Sequence, residues 1–144
     1  MRQIKFRGKS LRDGEWFYGN LFERDTKGNT HITTLERGCL VIDPDTVGQY
    51  TGLHDRKDRE IYEGDVLFVE FDDRSGGNQL VGWNEKTASW GVMDAYSYHS
   101  YRQRKLRRYH NHILLAYLKE ASICEVVGNI HDNPELMNVS GGED

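Results

Sequence analysis

Ile61-Tyr62-Glu63-Gly64-Asp65-Val66-Leu67-Phe68-Val69 is a Gly-Asp turn feeding an apolar run, and it sets the tightest limit on what this chain can fold into. Glycine supplies the strained φ, aspartate caps the turn, and the run packs inward at alternate positions. The pattern recurs along most of the chain. Ile4 and Phe6 flank, with Trp16 and Tyr18, the hairpin signal Asp13-Gly14, and Leu21-Phe22 continues the second strand. Residues 24–30 predict a polar loop around Lys27-Gly28-Asn29, and residues 31–35 and 39–42 predict two strands separated by Glu36-Arg37-Gly38. Asp43-Pro44-Asp45-Thr46 is a turn: proline suits its second position, and Asp43 can bond backbone two residues on. Residues 79–83 and 88–93 form a further hairpin around Asn84-Glu85-Lys86-Thr87. Residues 123–130 read as the last strand, and Asn133-Pro134 starts a turn before Glu135-Leu136-Met137. Strands so short and evenly spaced predict a mainly β fold, a small barrel or sandwich.

With 144 residues the chain makes one domain, or two small lobes, with a real core. Its 23 acidic and 19 basic residues give a net charge of −4, which excludes a generally basic nucleic-acid binder. The N-terminus lacks the apolar run of a signal peptide. The longest apolar stretch, Ile113-Leu114-Leu115-Ala116-Tyr117-Leu118, falls far short of the ~20 residues a bilayer span needs. The expectation is a cytoplasmic protein with no membrane partner. Cys39 and Cys124 provide too few thiolates for a zinc cluster. One disulfide between them is conceivable, but two buried free thiols suit a cytoplasmic compartment better.

Residues 101–121 break the β pattern. They contain neither glycine nor proline, and Leu106, Tyr109, Ile113 and Tyr117 fall near one face at helical spacing. This predicts one inserted helix near 102–118. Arg102, Arg104, Lys105, Arg107 and Arg108 put five positive charges into seven residues, beside Tyr98, Tyr101 and Tyr109, and leave −9 on the rest of the chain. Such segregation fits phosphate contact with tyrosines stacking on bases. The reading it fits better is a solvated helix face, or one that pairs with the acidic surface of another subunit, since the acidic body would repel DNA outside the patch.

No constellation for catalysis stands out. The glycines lie in neither a Gly-x-x-x-x-Gly-Lys nor a Gly-x-Gly-x-x-Gly context, and no serine sits in a Gly-x-Ser-x-Gly elbow. His110 and His112 are the only close histidine pair; on a helix they diverge, and only on a strand could they share a metal. Asp43, Asp45, Asp55, Asp58, Asp65, Asp72 and Asp73 read as turn formers and solvated charges. The expectation is a non-enzyme with no catalytic residue, metal or cofactor.

Four separated blocks carry a family resemblance. They are Ile4-Lys5-Phe6-Arg7-Gly8-Lys9 with Gly14-Glu15-Trp16-Phe17-Tyr18-Gly19; residues 42–53, Ile42-Asp43-Pro44-Asp45-Thr46-Val47-Gly48-Gln49-Tyr50-Thr51-Gly52-Leu53; Ile61-Tyr62-Glu63-Gly64-Asp65-Val66; and residues 125–136, including Gly128-Asn129-Ile130-His131-Asp132-Asn133-Pro134. In order and wording they resemble the YopX family of phage and prophage proteins. The resemblance implies a mostly β protein with a C-terminal SH3-like barrel, encoded by phages or integrated elements, and it brings no catalytic residues. The expected organisation is an N-terminal β-hairpin region over 1–60, an SH3-like small barrel with the helical insertion over 61–138, and a frayed tail over 139–144. The expected role is a phage or prophage accessory protein that binds a phage or host protein, with the nucleic-acid reading of 102–108 as the alternative and homo-oligomers as a further possibility, since small β domains need their edges covered. The last block either locks the final strand against the Gly14-Glu15-Trp16 hairpin or forms a recognition loop. Where the family carries an Asn-Gly type of turn, this chain has Arg56-Lys57-Asp58, which implies a looser hairpin there.

Overall fold

The structure, a computed structural model, describes residues 1–22, 24–71, 76–102, 113–115 and 123–139. It is mainly β and divides into two compact units, Met1–Gly52 and Leu53–Asp144.

In the first unit, β1 (Phe6–Lys9), β2 (Trp16–Phe22), β3 (Thr30–Thr34) and β4 (Gly38–Ile42) form an antiparallel meander. β5 (Gly48–His54) adds to the other side of β1, and its last residues pass into the second unit beside β6 (Glu60–Tyr62). The period of two explains the burial: Phe17, Ile32 and Ile42 are inside, with Phe6, Leu21, Leu40 and Val47 against them. Burying each of the first three contributes roughly 2 kcal/mol. The sheet curls on itself, because Ser10 bridges Ile42, Leu11 N–H donates to Val41 O (3.2 Å) and Asp43 N–H donates to Lys9 O (2.8 Å). Gly19 permits the β2–β3 approach; a Cβ there would meet the Thr33 carbonyl. Asp43 then caps the 3₁₀ turn Pro44–Thr46, its carboxylate accepting from Asp45 N–H at 3.0 Å.

In the second unit, β7 (Asp65–Glu70), β8 (Gly76–Asn84), β9 (Ser89–Asp94), β10 (Ile113–Leu114) and β11 (Ile123–Asn129) make an antiparallel sheet in the order β10-β9-β8-β7-β11. β7 buries residues on both faces. Leu67 and Val69 join Ile61, Val81, Val92, Leu115 and Cys124 on one side, while Val66 joins Leu80 and Met137 on the other, where Phe68 stays 38% exposed. Burial on both sides at Val66, Leu67 and Val69 accounts for most of the apolar run.

Several expectations change. The sheet is open rather than a closed barrel, with β10 and β11 at its edges. The described helix, α1, is Ala95–Arg102, started by Asp94, whose carboxylate accepts from Ser97 N–H at 2.7 Å. The helix expected over 102–118 does not run through, because Ile113 and Leu114 pair with Val92 and Gly91 on the outer edge of β9; the remainder of that expectation lies outside the described residues. Cys124 is buried as expected, but Cys39 is exposed, since the strand alternation turns it away from the core.

The charged tip after β5 is well tied. Asp55, its side chain fully buried, accepts from Lys57 N–H and Arg59 N–H (both 2.9 Å) and from Arg59 Nε (3.0 Å). Its second oxygen also accepts from Val126 N–H at 2.9 Å, and Arg56 N–H donates to Cys124 O at 3.1 Å. The outer edge of β11 is thereby capped by the tip. The hairpin expected to be loose is a closed turn.

The last block locks the final strand within the second unit. β11 pairs with β7, and Ile130 N–H donates to Gly64 O at 2.9 Å. Asn129 Oδ1 accepts from His131 and Asp132 N–H, and Asn78 Nδ2 donates to Leu136 O at 2.9 Å, seating the 3₁₀ turn Pro134–Met137.

Candidate functional site

Of the basic residues singled out in the sequence, Arg102 lies at the end of α1, exposed, its guanidinium 5.9 Å from the Tyr98 ring. Tyr101 belongs to the same helix. Arg104, Lys105, Arg107, Arg108 and Tyr109 lie outside the described residues, as do His110 and His112.

Several described aspartates serve turns, while Asp72 and Asp73 lie outside the described residues. Asp13 accepts from Glu15 N–H (3.0 Å), and Asp65, buried, accepts from Tyr62 N–H (2.8 Å). Asp25 closes the β2–β3 loop, accepting from Lys27 N–H (2.8 Å) and Asn29 N–H (2.9 Å), while its other oxygen meets His31 Nε2 at 2.6 Å. The His31 bond, followed by the Asn29 N–H, holds the Asp25 carboxyl at about 2, below its ordinary 3.8. An aspartate–histidine pair orients a general base only if the other ring nitrogen reaches a substrate or nucleophile. Here Nδ1 is shut away from solvent, so the pair clips the loop instead. Among the described residues no three His, Cys, Asp or Glu side chains gather where they could hold a metal ion. No described helix is long and apolar enough to cross a membrane.

The better-formed site lies in the first unit and was missed in the sequence. A groove of about 550 Å³ runs along β2, between Gln3–Lys5 ahead of β1 and the Leu35–Arg37 turn that joins β3 to β4. β2 carries aromatic residues at three successive positions, so alternation sends Phe17 into the core and leaves Tyr18 47% exposed. Leu35 stands fully exposed in its turn and Ile4 is 56% exposed, placing apolar surface at both ends of the lining. Arg37 stacks on the Phe17 ring at 4.6 Å and reaches Glu15 at 3.6 Å; Lys5 lies over the Tyr50 ring at 5.4 Å. Asn20 and Thr33, paired across β2 and β3, add exposed hydrogen-bonding groups. A leucine in a polar turn and aromatics on both faces of one strand were the available signals. Nothing in the lining resembles a nucleophile–base pair; the arrangement suits holding a chain segment.

Comparison with known proteins identifies the chain's class. The family model described as YopX protein matches residues 5–138, and the chain belongs to the YopX family. No functionally curated protein matches it. The crystal structure of protein EF1440 from Enterococcus faecalis is similar, with a TM-score of 0.55 at 18% identity, covering 96% of this chain and all of that one. At that identity the likeness speaks for the fold alone.

Proposed function

We propose that this chain is a non-catalytic protein-interaction module, an accessory protein of a phage or prophage working in the bacterial cytoplasm. The observation that carries the reading is the first-unit groove, where Ile4, Tyr18 and Leu35 leave apolar surface in water beside polar groups and cations. The second unit is read as an opened relative of the SH3-like barrel. Self-association through sheet edges has less to work with, since Ser10–Leu11 and Asp55–Arg56 already bond to β4 and β11. The test is a crosslinked pull-down from cells carrying the phage, with wild type and Leu35→Asp. A specific protein retained by wild type, and about tenfold depleted with the variant, is expected. Identical recoveries from the two baits would sink the reading.

A second reading, nucleic-acid association through 102–108, is favoured by the +5 to −9 charge segregation and by the exposed Arg102. It predicts a low-salt mobility shift that is abolished by replacing Arg104, Lys105 and Arg108 with glutamate.

A further inference from the structure

We infer that the first-unit groove takes an extended peptide bearing acidic side chains among apolar ones. This rests on the interaction-module reading and names the chemistry of its partner. Three observations point the same way.

The first is shape. β1 and β2 are in register from Phe6 opposite Gly19, so β2 continues three residues beyond that ladder, to Phe22. There the chain ahead of β1 turns to β5, Lys5 O accepting from Tyr50 N–H at 2.8 Å. The groove beside this stretch of β2, about 550 Å³ in volume, matches a few residues of extended chain.

The second is the alternation of surfaces. Ile4, Tyr18 and Leu35 offer apolar contact, while Asn20 and Thr33 offer polar groups beside them. Side chains of an extended peptide alternate in the same way.

The third is charge. Arg37 and Lys5 line the groove against one carboxylate, Glu36. The Arg37 guanidinium is pre-positioned by its stack on Phe17, with donors left over after its long contact to Glu15. The first unit carries eight basic and seven acidic residues, against 11 and 16 in the second, so the excess negative charge lies elsewhere. A nucleic-acid strand fits less well: it bears a charge at every nucleotide, and two cations with a glutamate between them do not track such a backbone.

The test uses the full chain and three fluorescent octapeptides with leucine alternating with glutamate, glutamine or lysine, read by anisotropy at low and high salt. The glutamate peptide should bind about tenfold tighter than the glutamine one at low salt, and the preference should shrink in high salt. Arg37→Gln, an exposed change, should remove most of that preference, and Arg37→Lys should restore part of it. Leu35→Asp should weaken both the glutamate and the glutamine peptide. Equal binding of glutamate and glutamine peptides, both weakened by Leu35→Asp, would overturn the acidic inference and leave the module reading standing. Binding of none of the three would overturn the inference, and if the pull-down recoveries also matched it would take the module reading with it. A single-stranded oligothymidylate that binds in their place, and is lost with Arg37→Gln, would reassign the groove to nucleic acid.

Discussion

Residues 25–29 in the first unit and 55–59 in the second build the same turn. In each, an aspartate N–H donates to the carbonyl four residues on, and its Oδ1 accepts the N–H groups of the residues two and four ahead. The fourth position is left-handed in both, Gly28 at φ +81° and Asp58 at φ +63°. They part at the second carboxylate oxygen. Asp25 uses it on His31, six residues away, whereas Asp55 uses it on Val126, 71 residues away. One turn closes a loop, and the other covers the edge of a sheet. The same local chemistry therefore differs in consequence according to what the fold brings beside it.

The sharpest way to break this comparison is Asp55→Ala. It strands the N–H groups of Lys57, Arg59 and Val126, so unfolding free energy should fall by about 3 kcal/mol. Hydrogen exchange should accelerate first at Val126. A loss as small as that of an exposed turn residue would deny Asp55 its long-range role. Asp25→Ala should have a smaller effect, confined to amides of residues 25–31, with Val126 unchanged.

Acid separates the two less sharply. Burial of Asp55 raises its pKa, but the N–H donors of Val126, Arg59 and Lys57 outweigh that and leave it lowered. Asp25 is lowered from 3.8 to about 2. For a depressed carboxyl the stabilisation is present above the unfolded value and lost as pH falls through the folded one. Loop 25–29 should therefore hold at pH 5 and loosen between about pH 4 and 2, which carboxyl NMR titration would follow. Midpoints at or above the ordinary aspartate value would contradict the hydrogen-bond argument.

Asp58→Gly removes a side chain from a left-handed position and should stabilise the second unit by about 0.5 kcal/mol. The smallest effect belongs to Arg56 and Lys57, which meet Glu125 at 3.5 and 3.7 Å from exposed positions. Changing either to alanine should shift stability by less than about 0.5 kcal/mol. Thermal or urea melts would measure both.

Much of the architecture was legible because it is local. Asp13-Gly14, Asp43-Pro44, Asn84 to Thr87 and Asn133-Pro134 each turn the chain where their own backbone and side-chain preferences demand it. The candidate site was not legible, because Ile4, Tyr18 and Leu35 become neighbours only when β2 lies between β1 and β3. The helical spacing fails at Ile113 for a related reason: an unfilled edge on β9 takes Ile113 and Leu114, and periodicity cannot see that edge.

The sequence by itself determined where the chain turns, which strands alternate and to which family it belongs, since these depend on residues near one another or on order along the chain. Tertiary structure alone decided that the second sheet stays open, that Asp55 reaches β11, and that an aromatic groove forms along β2. Each of those requires groups far apart in sequence to meet, and the free energy of that meeting comes from packing and hydrogen bonds that no local pattern encodes.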